Sequence, residues 1–393
     1  MTLAWTVADR WRDRLVALSH SLHAEPETAF EEFASSAKLA ALMRDAGFAV
    51  EHGVGDLPTA LTATYGAGDL TVGVCAEYDA LPEIGHACGH NVICAAGAGA
   101  AIALAAVADE LGIRVKLIGT PAEETGAGKV LMLDHGAFDD VTVAMMVHPA
   151  PGVDVVDVKV SSQTSSRFEA TFHGRAAHAA AAPHTGVNAA DAAVVAQVAI
   201  GQLRQQIPGE FRIAGIVTEG GRRSNIIPER ARLEYEFRTL TAEQMPDLKR
   251  RVHNCFHGAA LATGTTLELR QSHPDYLDLR QDAFLTEAYG RALTALGRTV
   301  HAMPPGIVGG STDMGNISQV IPSIHPGLGI AGATTMPHTR EFAAVTDSPA
   351  ADDAILFGAK AMAAAAIALA TDPVQRAAYL DRQARRGTLS ERS

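Results

Sequence analysis

Aromatic side chains make up only 5% of this 393-residue chain, so no stacking surface for an aromatic ligand stands out. Cysteine is equally sparse. Four thiols in a chain of this length cannot make a disulfide framework, and a reducing cytoplasm is the expected setting. Positive charge is in deficit, with 32 Lys and Arg against 44 Asp and Glu and a formal net charge of −12. Such a balance repels nucleic acid and anionic membrane surfaces, and neither is expected as a partner. The uncharged run Val92 to Ala108 is mostly Ala and Gly, and it is shorter than the roughly 20 apolar residues a membrane span needs. Met1 to Arg10 has no basic region followed by an apolar core, so no secretory signal is expected. No internal repeat is present.

What the chain does have is 47% hydrophobic residues, enough for a large core, and a length that suits two domains or one with a sizeable insertion. Between Trp5 and Met43 apolar residues recur at helical spacing, through Leu15, Leu18, Leu22, Phe30, Phe33, Leu39 and Leu42. Glu25-Pro26 interrupts that pattern, and two helices with a bend between them are expected. Leu70 to Cys75 reads as a strand buried on both faces, and the Ala-rich Val92 to Val107 as a buried helix. Ile113 to Gly119 and Val141 to Val147 read as further strands. The fold class predicted is α/β: a large domain with a mostly parallel central sheet and flanking helices. Period-two alternation begins near Val158, and the elements from Phe168 to Gln271 form a smaller α+β unit. The expected division is 1–160 with 275–393 for the large domain and 161–274 for the inserted one. Helix Ala350 to Thr371 should lie on the sheet, and the charged residues beyond Asp372 should be loose.

Chemistry concentrates between Ala76 and Asn91, where acids, imidazoles and a thiol share one loop after a strand, the place where α/β proteins bind ligands. Cys88 and His90, joined by Glu124, His148 and His338, make the mixture of thiolate, imidazole and carboxylate that a borderline-soft divalent ion prefers. Singly, each has an ordinary reading as a surface histidine, a packed thiol or a solvated acid. Glu123-Glu124 ends a strand, so its neighbouring side chains face different ways. One can bind a metal while the other moves a proton to and from water.

The segments His23-Ala-Glu-Pro-Glu27, Asp79-Ala-Leu-Pro82, Gly85-His-Ala-Cys-Gly-His-Asn91, Pro121-Ala-Glu-Glu124, His148-Pro149, His173-Gly-Arg-Ala-Ala-His178, Asn225-Ile-Ile-Pro-Glu229 and Pro337-His338 occur in this order. With them the chain resembles, nearly end to end, the aminoacylase and carboxypeptidase-G superfamily of dinuclear metallopeptidases. Within it the chain is similar to N-acyl-amino-acid amidohydrolases, p-aminobenzoyl-glutamate hydrolases and β-alanyl dipeptidases. The resemblance implies two divalent ions, zinc first, with manganese or cobalt as alternatives. It implies that Cys88 bridges them, with His90 and Glu124 completing one site and His148 and His338 the other. Glu123 would be the general base and Asp79 would orient a ligand histidine. His178 would polarise the scissile carbonyl, Asn225 and Arg238 would hold the substrate, and Asp313 would stand behind the ligands or touch substrate. Read without the resemblance, Arg238 is a strand-face charge and Asn225 a turn residue. Many members of the wider superfamily have a metal-binding histidine where this chain has Glu77 and a bridging aspartate where it has Cys88. The smaller domain would act as a lid that closes on the substrate and as the site of homodimer pairing.

The function expected is metal-dependent hydrolysis of an amide in a small molecule with a free carboxylate: an N-acyl amino acid, an aminobenzoyl-glutamate-like conjugate or a dipeptide. Two alternatives stand beside it. One is a thiol hydrolase with Cys88 as nucleophile. The other is a non-catalytic binding protein that keeps the site as a metal-stabilised scaffold.

Overall fold

The computed structural model describes residues 1–303 and 309–389, which divide into two compact units, Met1–Ser161 with Leu279–Ser393, and Ser162–Asp278. In the first unit four parallel strands, Ile113–Thr120, Leu70–Glu77, Val143–Met145 and Ser323–Ile324, lie side by side. The antiparallel strands Leu61–Tyr65 and Ala49–His52 extend one edge. Every residue of Leu70–Glu77 is buried, as its unbroken β-branched and apolar run requires of a central strand.

Helix His90–Ala105 follows that strand and is buried from its first residue to Leu104. Its Ala and Gly content lets neighbours approach closely. A methyl group added at Gly99 would stand 2.9 Å from Ala359 and from Leu15, so the helix fits only because that position has no side chain. Its partner Pro349–Thr371 is long and apolar enough to cross a membrane by length and composition, but 72% of that apolar window is buried inside the protein, against the first unit's core.

The second unit carries an antiparallel sheet in the order Thr266–Gln271, Thr164–His173, Arg230–Thr239, Arg212–Glu219. Burial alternates residue by residue along Arg230–Thr239, which is the physical counterpart of the period-two pattern. Phe168, Phe172, Phe237 and Phe256 form its core with residues of helices Ala189–Leu203 and Met245–Thr263.

Two sequence expectations are corrected. The first forty-five residues form three helices, Thr2–Arg10, Arg12–Ala24 and Phe33–Asp45, where two were expected. The extra break falls at Trp11, at φ −92° and ψ −1°, with no Gly or Pro to announce it. Most of the described residues beyond Asp372 are not loose: Pro373–Arg386 is a helix, capped by the Asp372 carboxylate, and residues 390–393 lie outside the described residues. Its polar side chains hold backbone carbonyls at the ends of other elements, Arg376 on Leu111 at 2.8 Å and Arg386 on Val141 at 2.8 Å. Charge density in that segment signalled solvation when it in fact caps orphan carbonyls.

Candidate active site

The site is assembled from the carboxyl ends of the parallel strands in the first unit. Strand Leu70–Glu77 runs into a loop whose Asp79 is wholly buried. Gly89, at φ +80°, turns that loop into the next helix, and a methyl group there would stand 2.8 Å from Pro149. His90 is the first helical residue. Its Nδ1 donates to the Asp79 carbonyl at 2.8 Å and carboxylate at 2.9 Å, which leaves the Nε2 lone pair facing the site. The other Asp79 oxygen accepts from the Glu124 backbone N–H at 3.0 Å, so one carboxylate orients an imidazole and anchors an acid-bearing loop. Burial opposes charge on His90, but Asp79 and Glu77 outweigh it and raise its basicity. His148 is held likewise: its Nδ1 donates to the Pro149 carbonyl at 2.9 Å.

Strand Ile113–Thr120 delivers Glu123 and Glu124 through Ala122, at φ +57°, whose N–H is held at 2.9 Å by the buried Glu32 carboxylate. His338 also stands at positive φ, +68°, and donates its N–H to Ala87 at 2.8 Å. Non-glycine residues in the left-handed region are kept only where surroundings overdetermine them, and here they aim donor groups.

These elements bring together all five expected ligands. Cys88, His90 and His148 offer donor atoms within 4.8 Å of one another, and so do Cys88, Glu124 and His338. Cys88 Sγ lies 3.3 Å from His148 Nε2, and His338 Nε2 lies 3.4 Å from Glu124 Oε1. The thiol is common to both groups, and His90 with Glu123 and Glu124 forms a third group at the same range, His90 Nε2 lying 4.0 Å from Glu124 Oε1. Spacing along the chain carries no such distances, because they are set by which strand end each side chain leaves.

The donors fit divalent ions. His90 Nε2 and Glu124 Oε1 are buried without a hydrogen-bond partner among the described residues. Burial, reinforced by Glu124, pushes the Cys88 thiol far up, which a neighbouring cation would reverse. Burial holds His148 neutral, as a ligand must be. Glu123 stands beside the groups, its Oε2 3.8 Å from His90 Nε2. Burial first, then Glu77 and Glu124, push its carboxyl up, as suits a group that takes and returns a proton.

The other expected residues fall differently. Asp313 is fully buried, with both oxygens held by Lys129, and so presents no surface to a substrate. In the second unit His178 Nδ1 accepts from the N–H groups of Ala180 at 3.2 Å and Ala181 at 3.1 Å, which leaves the proton on Nε2 as a donor. Asn225 is exposed and its carbonyl accepts from Ala179 at 3.0 Å, while Arg238 is paired with Glu236 at 2.9 Å. Sequence reasoning missed Lys129, Glu32 and the half-buried His325, whose ring lies 5.4 Å from that of His148. Lys129 had one signal: it is the only charged residue between Glu124 and Asp134.

The Asp79 geometry has a measurable outcome. Asp79→Asn is expected to lower metal affinity or activity by about 10–100-fold, because it unsettles the His90 tautomer while leaving every ligand in place. Equilibrium dialysis of metal and steady-state rates check this, and parent-like values for both would show that the contact orients nothing.

Fold and site together define a hydrolase of the peptidase and amidohydrolase class, with its polar groups at the strand ends of a parallel sheet. The chain belongs to peptidase family M20/M25/M40, whose profile matches residues 73–368. It is 37% identical over 383 residues to the Xaa-Arg dipeptidase of Mus musculus, covering 91% of this chain and 86% of that protein. It is 33% identical over 279 residues to a p-aminobenzoyl-glutamate hydrolase chain of Escherichia coli K12, covering 66% of this chain and 58% of that one. A dinuclear metal binding peptidase of the M20 family from Bacillus subtilis shares the fold, with TM-score 0.64 and 22% identity over 89% of this chain and 98% of that chain.

Proposed function

We propose that this enzyme uses two divalent ions, zinc first, to hydrolyse the amide bond of a small molecule bearing a free carboxylate, a dipeptide or an N-acyl amino acid. The observation that carries the reading is the pair of three-donor groups sharing Cys88, with Glu123 beside them. Cys88, His90 and His148 would hold one ion, and Cys88, Glu124 and His338 the other. Bound there, the ions would polarise the amide carbonyl and acidify water. Glu123 takes the proton of the attacking water and returns it to the leaving amine. Asp79 keeps the His90 tautomer fixed and the Glu124 loop in register.

His178, Asn225 and Arg238 are proposed to engage the substrate. The Nε2 proton of His178 is available for a developing oxyanion, and the Arg238 fork suits a carboxylate. The relatives' names, Xaa-Arg dipeptidase and aminobenzoyl-glutamate hydrolase, support an amino-acid amide as substrate class. Exposed Val194, Val198 and Ile216 on the second unit, at 57%, 58% and 61%, support pairing with a second copy. The cysteines, all free among the described residues, fit a cytoplasmic setting.

The test is a chelator. Dialysis against it should abolish turnover on a panel of dipeptides, N-acyl amino acids and aminobenzoyl-glutamate, and Zn²⁺ or Mn²⁺ should restore it. Full turnover without metal would refute the proposal. Stoichiometric acyl-enzyme on Cys88 would establish the thiol hydrolase instead.

A further inference from the structure

Behind the ligands lies a buried cluster that the proposed reaction does not use. Glu77 ends strand Leu70–Glu77, Lys129 is the second residue of helix Gly128–Asp134, and Asp313 precedes helix Met314–Val320. Their side chains are 1%, 0% and 0% exposed. Lys129 Nζ donates to Glu77 Oε1 and, at 2.7 Å, to Asp313 Oδ1, and the Lys129 backbone N–H donates to Asp313 Oδ2 at 2.9 Å. Glu77, Asp313 and Glu123 offer carboxylate oxygens within 4.8 Å of one another. The remaining Glu77 oxygen is buried, has no hydrogen-bond partner among the described residues, and lies 3.3 Å from His90 Nε2. Gly128 seats the helix start against the loop that carries Glu123, since a methyl group there would stand 1.9 Å from the Pro121 carbonyl oxygen.

Three buried carboxylates converging on one another are a cation site by composition, and two of them here grip an ammonium group. A charge so deep is kept only when it is paired. Burial works against charge on Lys129, but Asp313, Glu77 and Glu123 outweigh it and hold it protonated. Unpaired, Glu77 would be the nearest additional carboxylate to a His90-bound ion.

We propose that the Lys129 ammonium is a resident cation that fills a third cation position behind the two proposed ones, keeping Glu77 out of the ligand set and fixing Glu123 in its place. Lys129 is thus a positioning residue. Only the kinetic arm of the test rests on the reading of Glu123 as general base.

The experiment compares the parent, Lys129→Met and Lys129→Met/Asp313→Asn, each dialysed to equilibrium against Zn²⁺, with bound metal counted per chain by elemental analysis. Lys129→Met should retain one more divalent ion than the parent, and its melting temperature should rise more steeply with Zn²⁺. The double variant, with one carboxylate fewer, should return to the parental metal content. Turnover of Lys129→Met should fall by roughly 100-fold, the effect of about 1 Å of misplacement at a reacting group, with KM close to the parental value. Equal metal content in Lys129→Met and the parent overturns the proposal whatever the kinetics. So does a Lys129→Met chain that fails to fold with and without Zn²⁺, since a divalent ion would then be no substitute for the ammonium. Because the quantity read is a difference, a parent without bound metal sinks the dinuclear reading while this one is still decided.

Discussion

Glu123→Gln is expected to reduce kcat by about 10²–10⁴-fold, the usual contribution of a positioned acid–base group, while leaving metal content unchanged. The glutamine side chain keeps the size of the carboxylate and loses its ability to take a proton. None of the paired donor groups around Cys88 includes Glu123, so the proposed ions have no reason to leave. Rates on a dipeptide and an N-acyl amino acid, read beside elemental analysis of the same sample, check both halves. Parental turnover in a metal-loaded Glu123→Gln sample would remove Glu123 from its role.

Cys88→Ala should be more damaging still. Its sulfur belongs to both donor groups, so its removal takes one ligand from each. The expected result is a chain that holds fewer than one ion after dialysis and has no measurable turnover, although it still folds. The buried site tolerates the smaller side chain, since the loss is a single sulfur atom within an otherwise complete core. Circular dichroism and bound metal distinguish this from unfolding. Retention of two ions would refute the shared-thiol arrangement. Activity restored to Cys88→Ala by excess Zn²⁺ would count against a nucleophilic thiol.

How much of this could be read from the residues depended on whether the signal was local. Cys88, Glu124 and His148 each follow a recognisable strand, and the rule that ligands gather at strand carboxyl ends was enough to group them. His338 follows no strand directly and was grouped with the others by residue type alone. Glu123 and Glu124 are adjacent in sequence, yet only the backbone geometry at Ala122, φ +57°, decides where each carboxylate points. Lys129 was hidden for a different reason. A lysine beside Val, Leu and Met reads as a helix-surface charge, and its counter-ions are supplied from 52 residues before it and 184 after it. In the fold, long periodic stretches were recovered because burial enforces their pattern. The helix Pro373–Arg386 was not, because its arginines hold carbonyls far away in the chain, and the break at Trp11 was not, because no Gly or Pro marks it.

Helix His90–Ala105 is enclosed by the core along nearly its whole length, and its first residue is a proposed metal ligand. An imidazole mounted on so confined a rod has little latitude to shift with the radius of the ion it meets. Discrimination between metals would then be inherited from the stiffness of the protein interior, and the compliant side of the cage would be the one supplied by His338, which sits on an exposed loop.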